Sequence, residues 1–283
     1  MEISWEQSVL TFAEQVEGLL LQKESCNNLM LGIIERLKAE KESICACFGV
    51  VEEKGRVIYA FMRTPPNQWI IADVADASDD MIDKIVHFFW SQKQDVPGVI
   101  GPVSLATRFA QTWGRLTRQK AIIQMEQFIY QLDKLETPAL VEGRLVLAKE
   151  CDLPLIANWL FQFGKETGIH TTREQAHTTA RYFIAKQSAF LWKVNNDPVC
   201  MVNNARTTRN GATINAVFTP DKFKRNGYAS SAVAALSEPL LKCGKQFCNL
   251  YTDLANPTSN GIYQKIGYKQ VGASIVFQFQ RSS

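Results

Sequence analysis

The sequence predicts an α+β protein built as two domains in tandem. Three observations support this: the chain has 283 residues, more than one compact α+β domain needs; helix-period and strand-like apolar segments are mixed along it; and the second half repeats the element order of the first. Apolar residues make up 46% and charged residues 21%, enough to fill two cores and far from the composition of a disordered chain.

In the first half, Val9, Phe12, Val16, Leu19 and Leu20, then Leu29, Met30, Ile33, Ile34 and Leu37, recur at helical spacing. They predict two helices between Trp5 and Leu37, parted by the polar stretch Ser25 to Asn28. Gly32 weakens the second by about 1 kcal/mol relative to alanine. Strands follow at Ile44 to Val51 and Val57 to Met62, joined by the turn sequence Glu52-Glu53-Lys54-Gly55, with a third at Trp69 to Asp73. Asp76 to Asp80 places acidic residues at the start of a helix that runs to Lys93. A strand at Val99 to Gly101, a helix at Ser104 to Trp113 and a strand at Ala121 to Tyr130 complete the order ααβββαβαβ.

The segment Leu132 to Pro138 has little apolar signal and reads as a linker, so the domains are expected over 1–135 and 140–283. The second opens with a strand at Leu145 to Ala148 and helices at Cys151 to Phe163, with Pro154 in its first turn, and at Glu174 to Lys186. Strands Phe190 to Val194, Val199 to Ala205 and Thr213 to Phe218 follow, linked through Asn195-Asn196-Asp197-Pro198 and Arg209-Asn210-Gly211. A helix at Gly227 to Lys242, a strand at Phe247 to Tyr251, a helix at Pro257 to Lys265 and a strand at Tyr268 to Phe279 end the chain. The order βααβββαβαβ matches that of the first half except for one missing initial strand, as an internal duplication would.

Basic and acidic residues number 31 and 28 and are interspersed, so composition predicts neither nucleic-acid nor membrane binding. Seven cysteines, several in apolar runs, are expected to be reduced and mostly buried. Cys45-x-Cys47 with only three histidines in the chain predicts no metal site. The N-terminus has no basic region followed by an apolar run, and a cytoplasmic location is expected. Oligomeric state has no sequence signal.

The chemistry is expected where a strand leaves through a basic, glycine-containing turn into a helix: Phe218-Thr219-Pro220-Asp221-Lys222-Phe223-Lys224-Arg225-Asn226-Gly227-Tyr228-Ala229. The first N–H groups of a helix have no partner inside it and, with the macrodipole, form an anion site. Gly227 permits close backbone approach, small Ala229 and Ser230 leave the ligand face open, and Lys224 and Arg225 add positive charge.

This segment resembles the acetyl-CoA signature of the GNAT superfamily of N-acetyltransferases, [QR]-x-x-G-x-[GA], with Lys224 standing where Gln or Arg is usual. Asn256-Pro257-Thr258-Ser259-Asn260-Gly261-Ile262-Tyr263-Gln264-Lys265-Ile266-Gly267-Tyr268 is similar to a second segment of that family. The resemblance covers about residues 143 to 279 by motif and the first half by element order. It implies two tandem GNAT-like domains in three-layer α+β form, each a mixed, mostly antiparallel sheet flanked by helices. It also implies acetyl transfer from acetyl-CoA to a primary amine, of a small molecule or a peptide, by direct attack in a ternary complex.

The resemblance further implies that Val217, Phe218 and Thr219 meet the pantetheine arm as an added strand, and that Lys224, Arg225, Asn226, Gly227, Tyr228, Ala229 and Ser230 hold the pyrophosphate. Tyr263 corresponds to the family's general acid. A phenol near pKa 10 facing a thiol near 8.5 makes full proton transfer uphill by about 2 kcal/mol, so hydrogen-bond donation to the developing thiolate is the expected role. Asn256 and Asn260 either bind the cofactor or, for Asn256, cap the helix at Pro257. Glu166, His170, His177 and Asp253 are the base candidates, and none is singled out. Two alternatives stand beside this: a non-catalytic acetyl-CoA-binding or regulatory protein that keeps the same loop, and an interaction module whose N-terminal domain binds a protein partner. The first half lacks that loop: Ile70 to Asp80 has no glycine and carries Asp73, Asp76, Asp79 and Asp80, which would repel a pyrophosphate, so that domain is expected not to bind CoA.

Overall fold

The computed structural model describes residues 1–39, 45–136, 141–255 and 257–281, apart from the side chains of 257–260. Its contacts divide the chain into two units, Met1–Ile129 with Val271–Ser283, and Tyr130–Gln270.

In the first unit the strands β1 (Glu2–Glu6), β2 (Cys47–Glu53), β3 (Arg56–Arg63), β4 (Trp69–Ile71), β5 (Gly98–Pro102) and the C-terminal β12 (Lys269–Arg281), numbered by chain order, are hydrogen-bonded in that sequence. Every pair is antiparallel except β4 with β5, which is parallel. The β2–β3 turn passes through Lys54 and Gly55, both left-handed at φ 51° and 73°, the conformation that matches the twist of a tight hairpin. Four helices flank this sheet: α1 (Val9–Leu20), α2 (Glu24–Ala39), α3 (Asp79–Ser91) and α4 (Val103–Thr117). Phe48 and Phe61 stand opposite Met62 and Gly49 in the β2–β3 ladder and so point to different faces. Phe12 of α1 packs on Phe48 at 4.9 Å, and Phe89 of α3 packs on Phe61 at 5.1 Å and Trp69 at 4.4 Å. Helices therefore cover both faces, giving three layers. The Ser78 hydroxyl caps α3 by accepting from Met81 N–H, and Arg108 of α4 grips the Asp83 carboxylate through Nε and Nη2.

Two expectations for this unit are corrected. Trp5 belongs to β1, not to a helix, because its ring enters the cluster of Phe61, Trp69, Phe88 and Phe89 at 5.1 to 5.8 Å; β1 supplies the strand that the first half had lacked. Ser25 to Asn28 is not a break. All four lie within α2, and Ser25, Asn27 and Asn28 are buried, with the Asn27 amide donating to Leu20 O at 3.1 Å.

The strand β6 (Gln119–Leu132) belongs to the first unit as far as Ile129, and the second unit has the strand order β11 (Phe247–Asp253), β10 (Gly211–Phe218), β9 (Asp197–Thr207), β8 (Ala189–Val194), β7 (Arg144–Leu147). The pairs from β10 to β7 are antiparallel, and β10 with β11 is parallel. Asn195 and Asn196, left-handed at φ 49° and 69°, turn β8 into β9. α5 (Leu153–Glu166) and α6 (Arg173–Ala185) share a core with Leu191, Met201, Ala216 and Phe218. α7 (Tyr228–Lys242) packs along β9 and β10, and α8 (Pro257–Lys265) follows β11. A mixed, mostly antiparallel sheet flanked by helices is thus found in both units, as expected.

β12 from Val271 on counts with the first unit, where its residues Ser274 to Gln278 face Pro102 to Gly98 of β5. The expected linker at 132–138 reaches into 137–140, outside the described residues. All seven cysteines are free thiols, but the expectation that most are buried is overturned: Cys200 and Cys248 are buried, whereas Cys45, Cys151 and Cys243 are exposed. These three occupy solvent-facing loop and helix-end positions, where a thiol contributes nothing to the core.

Candidate functional site

The parallel β10–β11 ladder is short, covering Gly211 to Thr213 against Phe247 to Asn249. Beyond it β10 continues to Phe218, and a bulge at Asn215 to Phe218, with Ala216 at φ 48°, re-aims the strand. Val217 is half-buried and Phe218 buried, its ring against Trp159 at 6.1 Å. The Phe218 side chain is thus spent on the α5–α6 core, which leaves its backbone as the part that can address a ligand.

After Pro220 the loop makes one 3-10 turn, Asp221–Phe223, and then uses left-handed conformations at Arg225 (φ 64°) and Gly227 (φ 78°). Left-handed residues in such turns gather backbone N–H groups into a concavity suited to anions. The Asn226 amide braces the loop by donating to Phe223 O at 3.1 Å and Lys224 O at 3.2 Å. Gly227 is the N-cap of α7 and has no side chain to cap Tyr228, Ala229 and Ser230 N–H. A Cβ there would also lie 3.0 Å from Val141 Cγ1. Glycine is therefore required for conformation and for space.

The two cations of the loop differ. Lys224 Nζ lies 3.0 Å from Glu166 Oε2 and 2.7 Å from Asp221 Oδ1, and these carboxylates, Asp221 first, raise its pKa. Its charge is largely matched within the protein. Arg225 is exposed and forms no ion pair among the described residues. Glu166, a base candidate, is thereby placed against the loop cation.

Tyr263 is 7% exposed, and its ring meets Tyr268 edge-on at 6.0 Å. The Tyr268 hydroxyl lies 3.1 Å from Ser237 Oγ, whereas that of Tyr263 has no hydrogen-bond partner among the described residues. Burial, then the nearby Cys200 thiol, pushes the Tyr263 phenol well above its ordinary value. This makes full proton transfer to a thiolate more uphill and fits a hydrogen-bond donor that stays protonated. Cys200, fully buried on β9 and pushed up to about 12 by burial, also faces Thr219. Thr219 Oγ1 is buried against it without a hydrogen bond of regular geometry.

Of the remaining base candidates, His170 and His177 are exposed, and Asp253 Oδ1 accepts from Ala255 N–H at 2.8 Å. Asn256 and the side chain of Asn260 lie outside the described residues. Among those described, no group of three or more His, Cys, Asp or Glu could hold a metal ion, and no helix is long and apolar enough to cross a membrane.

The first unit has the same parallel step, β4 to β5, but a different strand exit. Ala72 N–H pairs back to Ala60 O of β3, so the N–H and C=O of the next residue, Asp73, face away from β3. Both are already taken: the Asn27 amide donates to Asp73 O at 2.9 Å and accepts from Asp73 N–H at 2.8 Å. Lys23 closes on the Asp73 carboxylate at 2.7 Å. A side chain of α2 thus supplies a two-bond, strand-like partner.

The model of the FR47-like protein family matches residues 194–276, which include β9, the loop, α7 and Tyr263. No curated protein matches by sequence. A GNAT-family acetyltransferase from Colwellia psychrerythraea superposes over 99% of this chain and 100% of its own with a TM-score of 0.63 at 10% identity. A GCN5-related N-acetyltransferase from Sphaerobacter thermophilus covers 99% and 96% with 0.63 at 11% identity, and a tandem GNAT protein from the clavulanic acid biosynthesis pathway covers 100% and 99% with 0.58 at 10%. The chain has the tandem fold of GNAT acetyltransferases, and the family-model match falls on the unit that carries the glycine loop.

Proposed function

We propose that the second unit transfers the acetyl group of acetyl-CoA to a primary amine, and that the first unit binds no CoA. The observation that carries the reading is the strand exit at Val217 to Thr219 running into an uncapped helix N-terminus through a loop with two left-handed residues. Backbone N–H of Tyr228, Ala229 and Ser230 would hold the pyrophosphate, with Arg225 adding the free charge and the Lys224–Glu166 pair bracing the loop. The edge of β10 from Val217 to Thr219 would take the pantetheine arm as a neighbouring strand takes another.

The amine nitrogen attacks the thioester carbonyl, the carbon–sulfur bond breaks, and the thiolate leaves while Tyr263 donates a hydrogen bond to it. The amine proton passes to a base or to water. No covalent enzyme intermediate is needed. In the first unit Asn27 occupies the backbone groups of Asp73 that an incoming arm would need, and the acidic, glycine-free approach repels phosphate.

Titration calorimetry with acetyl-CoA, followed by thiol release and mass spectrometry over a panel of primary amines, tests the proposal. One acetyl-CoA per chain and an acetylated product are expected. Absence of binding removes the reading, whereas binding without any product leaves a non-catalytic acetyl-CoA-binding module in its place.

A further inference from the structure

The face of β10 that points to α5 and α6 holds a polar relay that the chemistry above does not use. β10 is buried or half-buried along its length except at Asn215, which is exposed. Asn215 stands directly opposite Asn203 of β9, so the two side chains share a face. Asn203 is 1% exposed. Its Nδ2 donates to Asn215 Oδ1 at 2.8 Å, and its Oδ1 accepts from Ser188 Oγ at 2.7 Å.

Ser188 Oγ also lies 3.2 Å from Phe183 O, and in the bond to Asn203 the Asn215 amide turns Oδ1 inward and Nδ2, with its two N–H donors, outward. Asparagine is depleted from strands, and burying a second amide beneath it is costly unless every group is paired. A strand needing only stability would carry Val or Thr at both places. Asn215 also lies two residues before Val217, about 7 Å along the strand. That is within the span of a small molecule whose amine reaches the thioester.

We infer that Asn215 holds the acceptor by a carbonyl or carboxylate oxygen close to its reactive amine, so that the acceptor class is amino acids or peptide-like amines. The inference rests on the acetyltransferase reading of this unit. Carbonyl and carboxylate oxygens are pure acceptors and match the outward N–H donors of Asn215, whereas a simple alkylamine leaves those donors to water.

Kinetics with two matched triplets tests it: leucine, leucinamide and isoamylamine, and lysine, lysinamide and cadaverine. The wild type is expected to favour the members with a carbonyl oxygen, the acid and amide arms showing which form it takes. Asn215→Asp keeps the bond from Asn203 but replaces outward donors by an acceptor. It should raise KM for the preferred amines about tenfold or more, the loss of one good hydrogen bond, and abolish the preference, with kcat, acetyl-CoA affinity and Tm little changed. Asn215→Ala should also raise KM and abolish the preference, but with a lower Tm, because it leaves the buried Asn203 amide without its acceptor. Unchanged KM and preference in both variants, or a wild type that favours isoamylamine and cadaverine, overturns the assignment while leaving acetyl transfer intact. A wild type that binds no acetyl-CoA overturns both.

Discussion

Replacing Tyr263 by phenylalanine separates catalysis from stability in a way that few buried positions allow. The ring is 7% exposed and packs edge-on against Tyr268, contacts that phenylalanine retains. The hydroxyl it removes has no hydrogen-bond partner among the described residues, so phenylalanine gives up no hydrogen bond there. Tyr263→Phe should therefore leave Tm little changed. Loss of a donor to the developing thiolate should cost about 3–4 kcal/mol of transition-state stabilisation, or a fall of 10²–10³ in kcat, with little change in acetyl-CoA affinity. Steady-state thiol release, calorimetry with acetyl-CoA and a thermal melt, all on one preparation, read the three quantities. A variant that melts several degrees lower and loses activity only in proportion would show that Tyr263 is a packing residue, and the catalytic reading would be wrong.

Other expectations follow from particular contacts. Gly227→Ala forces an alanine into a left-handed N-cap beside Val141 and should cost about 1–2 kcal/mol while weakening acetyl-CoA binding, read by denaturant melts and calorimetry. Arg225→Ala should weaken acetyl-CoA binding more than Lys224→Ala, because Lys224 is already paired with Asp221 and Glu166; the reverse order would place Lys224 on the phosphate. Asn27→Ala leaves Asp73 N–H and C=O unpaired and should cost about 2–4 kcal/mol, yet calorimetry should still find one acetyl-CoA per chain. Burial raises the Tyr59, Tyr263 and Tyr268 phenols above the ordinary value of 10. Unfolded tyrosines then ionise first, so the stability from their burial is whole below pH 10 and is lost as pH rises beyond it, which melts from pH 8 to 11 would detect. In the folded protein at pH 8, iodoacetamide should label exposed Cys45, Cys151 and Cys243, while Cys200 and Cys248, held near 12 and 11 by burial, stay unmodified.

What the sequence by itself determined was local. Helical period marked α3, α4, α5 and α7. The Lys54-Gly55 and Asn195-Asn196 turns announced hairpins because left-handed residues are scarce and recognisable, and Gly227 marked the anion loop for the same reason. Lys224 was weighted as a phosphate ligand since its partner Glu166 lies 58 residues away, beyond any local pattern. Trp5 looked helical because five residues with one apolar ring carry no period, and only the aromatic cluster around it makes β1 a strand. The polar run Ser25 to Asn28 looked like a break until Asn27 found Leu20 and Asp73. The exit of β12 toward β5, the burial of Tyr263 against Tyr268, and the relay under Asn215 were decided by tertiary structure alone. Turn chemistry and amphipathic period act between neighbours in the chain, whereas strand partners and buried hydrogen bonds are chosen by which distant groups the packed core brings within about 3 Å.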